Sequence, residues 1–247
     1  MKLKGNILKS LLAVALLFMV LQAGCSSAVK KPPLSAIETG IGLTEITDPN
    51  QFPDFRDDGG KIMLLYAIDN SREYFKRTES YPDSFKSIGF TPEKQIETLN
   101  LFRDGYVGSK SPQDLSEFIA KNFRVFQAIG NENSGTIQFA GYGFAAFGDD
   151  VKRKWDHTVY NSSIGLPAVP MRSIAAKEGA FPLGGLAFAV IETGENTGKS
   201  FFVLNQDNRR AVDDTVRADV FFGIGKEAIH KAENFNATGK LYYLLKR

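Results

Sequence analysis

Apolar positions along the chain keep a helical period up to about residue 130 and then switch to short alternating or continuous runs. Leu64, Leu65, Ile68 and Phe75 recur near helical spacing between Lys61 and Lys76, behind the start signal Asp57-Asp58-Gly59-Gly60. Thr91-Pro92 puts a capping hydroxyl before a proline suited to the first helical position, and Ile96, Leu99 and Phe102 then form one apolar face. Ser111-Pro112-Gln113-Asp114 resembles a capping box with Asp in place of Glu. Its stripe, Leu115, Phe118, Ile119 and Asn122, runs on to Phe123 and Phe126, so a helix is expected through that point. These aromatic stripes read as core.

From Thr136 the period changes. Thr136 to Phe139, Leu186 to Ile191, Phe201 to Leu204, Val216 to Phe222 and Leu241 to Leu245 are runs of β-branched, aromatic or aliphatic residues separated by Gly, Asn and Pro. A short helix is expected around Lys226 to Asn234, and no internal repeat is visible. The pattern predicts an α+β fold, with a helical part over residues 54–134 and a small barrel or folded sheet over 135–247.

The N-terminus carries a different signal. Lys2 and Lys4 precede an apolar run from Ile7 to Val20, broken only by Lys9 and Ser10, which ends in Leu21-Gln22-Ala23-Gly24-Cys25. A helix crossing the hydrocarbon needs about 20 apolar residues, so an export signal cleaved before Cys25 is the better reading. It is similar to a bacterial lipoprotein signal, with Gln22 where Leu is usual. That similarity makes residues 1–24 a signal peptide, Cys25 the lipidated anchor and residues 25–53 a tether rich in Ser, Lys, Pro, Thr and Gly. Ser26, rather than Asp, after the cysteine implies an outer-membrane lipoprotein facing the periplasm. Ordinary secretion, leaving Cys25 as a free thiol, is the alternative.

Composition narrows the function classes. The 247 residues are 43% hydrophobic and 23% charged, which suits ordinary globular structure. Because Lys2, Lys4 and Lys9 lie in a segment without acids, the chain from Cys25 onward carries 27 basic against 28 acidic side chains. That balance makes no electrostatic case for nucleic acid. Cys25 is the single cysteine, which removes disulfides and thiolate metal sites, and His157 and His230 stand far apart without other ligands at metal spacing. No nucleophile elbow is present, and Gly223-Ile224-Gly225 lacks the third glycine of a nucleotide fingerprint. No cofactor is implied.

Several strings occur in a telling order: Gly135-Thr136-Ile137-Gln138-Phe139-Ala140-Gly141-Tyr142-Gly143, then Phe181-Pro182-Leu183-Gly184, Gln206-Asp207, the run from Val216 through Asp219 to Ala228, and Gly239-Lys240-Leu241-Tyr242-Tyr243-Leu244-Leu245. Together they resemble the membrane-bound lytic murein transglycosylase A family, whose last part is a three-aspartate domain. The resemblance covers nearly all of the chain after Cys25. It implies a double-psi β-barrel with helices packed beside it, and peptidoglycan glycan strands as substrate.

By position Asp219 matches the family's catalytic acid at the floor of an accessible cleft, and Asp207 matches a second aspartate that orients it. Such an enzyme protonates the leaving oxygen between N-acetylmuramic acid and N-acetylglucosamine. The muramic acid C6 hydroxyl then attacks C1, so one carboxyl group serves as acid and then base and a 1,6-anhydro end forms. Val220, Phe221 and Phe222 would wall Asp219 with apolar surface and favour its protonated form. Gly141, Tyr142, Arg217 and Phe221 are the expected substrate contacts. Arg172 and Arg217 could meet muramyl carboxylates, although lone arginines are more often surface residues. Trp155 and Tyr160 could stack on sugars or simply pack in the core.

The chain also departs from that pattern. Lys177 stands where the first of the three aspartates belongs, and Ala140 and Gly143 replace a threonine and a tyrosine. Asn208-Arg209-Arg210-Ala211-Val212-Asp213-Asp214 replaces a glycine-containing loop. The family's inserted second domain is missing, so one wall of the glycan groove is absent or supplied by a partner protein. Three readings follow: a lytic transglycosylase, a non-catalytic peptidoglycan-binding lipoprotein, or a glycan-strand hydrolase.

Overall fold

The computed structural model describes residues 41–146, 159–194, 196–208 and 216–247. The expected signal peptide, Cys25 and most of the expected tether, together with Trp155 and His157, lie outside these residues. Among the described residues, four helices lie between the first and second strands: α1 (Lys61–Lys76), α2 (Asp83–Ser87), α3 (Pro92–Gly108) and α4 (Pro112–Asn122). The strands are β1 (Leu43–Ile46), β2 (Phe123–Ala128), β3 (Ile137–Phe144), β4 (Ser173–Ala176), β5 (Leu186–Ile191), β6 (Ser200–Asn208), β7 (Arg217–Ile224) and β8 (Asn236–Lys246), with α5 (Lys226–Asn234) before the last.

The capping signals act as expected. Thr91 Oγ1 accepts from the Lys94 amide at 3.2 Å, and Ser111 Oγ accepts from the Asp114 amide at 3.1 Å, each with proline opening the helix. The α1 start works differently. Gly60 caps that helix without a side-chain bond, and the carboxylates of Asp57 and Asp58 turn to the barrel instead.

Asp57 forms a bidentate pair with Arg172, at 2.8 and 2.9 Å, with the two side chains only 4% and 1% exposed. Arg172 also donates to the carbonyls of Phe202 and Gly60, and Tyr106 donates its hydroxyl to Asp57. Arg172, expected on the surface, is thus a buried clamp that fixes the entry of α1 to β6. The donor and acceptor geometry compensates for burying both charges. Asp58 accepts from the Ser200 amide at 2.9 Å and so holds the same junction.

Two expected boundaries shift. The tether was expected to reach residue 53, yet Ile41 and Leu43 are buried and β1 pairs antiparallel with β2, so folded structure begins by residue 41. The α4 stripe stops at Asn122. Phe123 and Phe126 belong to β2, which is flanked by β1 on one side and β8 on the other. Satisfying both backbone edges outweighs continuation of a helical stripe.

The sheet order is β1-β2-β8-β3-β7-β4-β6-β5, and β5 also pairs with β8, which closes the last six strands into a ring. This closed, mixed, six-stranded barrel is of the double-psi type, with β3–β7 and β4–β6 as its parallel pairs. Ile137, Phe139, Ile174, Leu186, Phe188, Leu204, Ala218, Val220 and Leu241 are all buried in its core. β8 serves three neighbours at once: β3 along Asn236–Gly239, β2 further on, and β5 on its other edge. At the crossover a Cβ on Gly239 would stand 1.9 Å from the Val190 carbonyl oxygen, so only glycine fits. Residues 145–172 connect β3 to β4, which is too little chain for an inserted domain with its own core.

Candidate active site

Strand register gathers the two acids. Ala140 on β3 pairs with Asp219 on β7, Asp219 pairs with Ala175 on β4, and Ala175 pairs with Asp207 on β6. Register partners point to the same face of a sheet, so Asp219 and Asp207 share a face, two strands apart. Neighbouring strands lie about 4.8 Å apart, which sets the two backbones roughly 10 Å from one another. Ala218 and Val220, on either side of Asp219, point the opposite way into the barrel core.

Asp207 is held from several directions. Its Oδ1 accepts from the Ser163 amide at 3.1 Å, the Ser163 hydroxyl and the Asn208 amide at 3.0 Å. Its Oδ2 accepts from the Tyr160 hydroxyl at 2.6 Å and the Tyr142 hydroxyl at 3.3 Å. Tyr142 starts on β3 and reaches Asp207 over β7 and β4. Burial and, after it, the bond to Asp207 push the Tyr160 phenol well above its ordinary value, so it stays a donor. The sequence offers no sign of Ser163, and it leaves Tyr160 open between sugar stacking and core packing. Only tertiary contact brings them to Asp207.

Four aromatic rings stand beside these bonds. Phe144 lies 4.2 Å from Tyr160 between ring centres, Tyr142 lies 5.2 Å from Phe221, and Tyr160 lies 5.7 Å from Phe221. Phe221 is 2% exposed whereas Phe144 is 39% exposed. Phe221, expected to touch substrate, therefore underlies the cluster, and Tyr142, Phe144 and Tyr160 form its open part. Gly141 faces away from them, because a Cβ there would stand 2.5 Å from the Ala232 backbone of α5. Its role in the fold is close helix packing.

Asp219 differs from expectation in one respect. Its side chain has no exposed surface, and Arg217 Nε donates to Oδ1 at 2.7 Å from a side chain that is 31% exposed. An open carboxyl at the floor of a trench was expected; the structure holds this carboxyl beneath a guanidinium. Among the described residues, surface hollows of about 540 and 530 Å³ lie beside α3 and α4 and beside Phe222 and α5. Lys177 follows directly after Ala176, the last residue of β4 and the partner of Ala218. His230 is exposed on α5. Among the described residues no group of three His, Cys, Asp or Glu side chains stands together as a metal site, and no helix is long and apolar enough to cross a membrane.

The sequence matches no protein-family model and no curated protein. Solved structures do match. The membrane-bound lytic murein transglycosylase from Agrobacterium tumefaciens aligns with a TM-score of 0.58 at 14% identity, over 84% of this chain and 98% of that one. MltA from Escherichia coli with bound chitohexaose aligns at 0.58 and 12% identity, over 82% and 94%. LtgG, a lytic transglycosylase of Burkholderia pseudomallei, aligns at 0.55 and 13% identity, over 83% and 96%. The fold is that of the MltA-type lytic transglycosylases.

Proposed function

We propose that the chain is a peptidoglycan lytic transglycosylase that cleaves the bond between N-acetylmuramic acid and N-acetylglucosamine and leaves a 1,6-anhydromuramic acid end. The observation that carries this reading is the placement of Asp219 and Asp207 on one face of a barrel, in register through Ala175. The same barrel, solved from E. coli as MltA, carries chitohexaose.

Asp219 is the acid and then the base. It gives its proton to the leaving oxygen, and as the C6 hydroxyl attacks C1 it takes that hydroxyl's proton, so the cycle closes with the acid reprotonated. Asp207, saturated with donors, is a positioning residue that fixes Tyr142 and Tyr160 where sugar rings would stack on them. The acid step begins with Arg217 leaving Asp219, because the carboxyl group is otherwise covered. Lipidation of Cys25 would hold the domain at the outer membrane facing the periplasm, and a partner protein would supply the second wall of the groove. Both of these rest on the sequence.

A second reading, a peptidoglycan-binding lipoprotein without activity, is favoured by the burial of Asp219 under Arg217. Digestion of purified peptidoglycan separates the outcomes. Anhydro-muropeptides that appear with the wild type and vanish with Asp219→Asn support the transglycosylase. Reducing ends indicate a hydrolase, and sedimentation with the wall without any release indicates the binder.

A further inference from the structure

A tight hairpin in the connection from β3 to β4 delivers donors to Asp207. The Ala168 amide donates to the Tyr160 carbonyl at 2.9 Å, Asn161 and Pro167 face each other in an antiparallel bridge, and the Ser162 amide donates to the Leu166 carbonyl at 3.0 Å. The turn closes with the Gly165 amide on the Ser162 carbonyl at 2.8 Å, and Gly165 holds a φ of 71° there that favours glycine. This short piece supplies three of the five donors to Asp207: the Tyr160 hydroxyl, the Ser163 amide and the Ser163 hydroxyl.

α1 grips the hairpin from behind. Asn70, 7% exposed, donates through Nδ2 to the Pro167 carbonyl at 2.9 Å. Its neighbour Ser71 serves β6 instead. Gln206 Nε2 donates to the Ser71 hydroxyl at 3.0 Å and to the Ala67 carbonyl at 2.8 Å, while Gln206 Oε1 accepts from the Ser173 hydroxyl. Successive residues of a strand point to opposite faces, so Gln206 meets α1 behind β6 while Asp207 stands on the side of the site. The two bonds from α1 differ in what depends on them. β6 is held in any case by its ladders to β4 and β5. Among the described residues the hairpin joins no strand of the sheet, and its tip reaches β6 through the Ile164 amide and the Gln206 carbonyl at 3.3 Å, a long and therefore weak bond.

We infer that Asn70 is a positioning residue for this site: its hydrogen bond to Pro167 sets the hairpin that presents Tyr160 and Ser163 to Asp207. The consequence for turnover rests on the glycan-cleaving reading, in which the Tyr160 ring stacks on sugar; the consequence for geometry does not. Without the Asn70 donor the hairpin shifts, and Tyr160 leaves both Asp207 and its ring neighbours Phe144 and Phe221. Burial and the bond to Asp207 hold the Tyr160 phenol well above its ordinary value, so a displaced Tyr160 titrates lower.

Nuclear magnetic resonance of the full chain, with tyrosine isotopically labelled at Cζ and the Tyr160 signal assigned by Tyr160→Phe, tests this. At about pH 11, above the ordinary phenol value of 10.0, Tyr160 should stay protonated in the wild type and be mostly ionised in Asn70→Ala. At neutral pH the same substitution should move the Tyr160 Cζ shift, because the bond to Asp207 is lost. Asn70→Leu, which fills the space without a donor, should behave as Asn70→Ala does. Ser71→Ala is the control for a loosened helix: Gln206 keeps the Ala67 carbonyl, and the Tyr160 signal should match the wild type. Circular dichroism establishes that each form is folded. In muropeptide release, Asn70→Ala should lower kcat/KM roughly tenfold, about the weight of one aromatic contact.

An unchanged Tyr160 signal in folded Asn70→Ala or Asn70→Leu, or an equal change in Ser71→Ala, overturns the positioning role whatever the activity. A signal that moves with Asn70 alone, in a protein whose wild type releases no muropeptide, upholds the role of Asn70 and removes the glycan-cleaving reading.

Discussion

Replacing Arg172 by Met exposes how much the barrel depends on one buried ion pair. The substitution keeps most of the side-chain volume, so little of its effect comes from a cavity. What remains is the carboxylate of Asp57, 4% exposed, with its guanidinium gone. The carbonyls of Phe202 and Gly60 lose their donor in the same step. Removing one partner of a buried pair costs about 3–5 kcal/mol, much of it the penalty on the charge left behind. For a chain of this size each kcal/mol lowers the melting temperature by about 2–4 °C, so a fall of roughly 6–20 °C is expected. Urea unfolding followed by circular dichroism gives the free energy directly, provided the slope with denaturant is unchanged. Combining Arg172→Met with Asp57→Asn removes the stranded charge, so the double variant should recover part of the loss instead of adding to it. Lys86→Ala, which breaks an exposed pair with Asp83, should leave the melting temperature within error. A loss below about 1 kcal/mol for Arg172→Met, the range of an exposed pair, would refute the reasoning.

Other outcomes can be checked alongside. Asp207→Asn turns an acceptor oxygen into an amide that faces donors from Ser163, Asn208, Tyr160 and Tyr142. Under the proposed lytic activity, the displacement of both tyrosines should lower kcat for muropeptide release by about a hundredfold, and a rate within a fewfold of wild type would show that Asp207 positions nothing. Glu45, paired with Arg124 at 2.6 Å, is held below its ordinary value of 4.5 mainly by the hydrogen bond from that guanidinium. The folded protein therefore binds this proton less tightly than the unfolded chain. Its contribution is full above pH 4.5 and is lost as the pH falls through the folded-state value, so Glu45→Gln should flatten the acid limb of a stability-against-pH curve. An unchanged acid limb would place the titrating group elsewhere.

Local chemistry made part of this structure legible in the chain. The α1, β5 and α5 bounds follow from apolar period and flanking Gly or Asn, and the starts of α3 and α4 follow from Thr91-Pro92 and Ser111-Pro112. Where a long-range pairing decides, the local signal fails. β2 continues an apolar stripe that reads as helix, and only β1 and β8 make it a strand. β4, Ser173–Ala176, is too short and too poor in large residues to stand out, yet it carries Ala175, the link between the two acids. Arg172 looked like any lone cation because Asp57 is far away in sequence. The row of acids was foreseeable only through resemblance, and the cover over Asp219 follows from an arginine two positions earlier on the same strand, where both side chains share a face.

The line from Ala140 through Asp219 and Ala175 to Asp207 crosses four strands drawn from distant stretches of the polypeptide, two of the three joints being parallel. Parallel partners meet late, since long loops must be ordered before any reward arrives. No hairpin carries the acids side by side, because β4 must first lie between β6 and β7. Under the proposed activity, recovery of glycan-cleaving turnover during refolding would therefore time the insertion of β4 between β6 and β7, and a spectroscopic signal regained earlier would mark material that already has strands but no working centre.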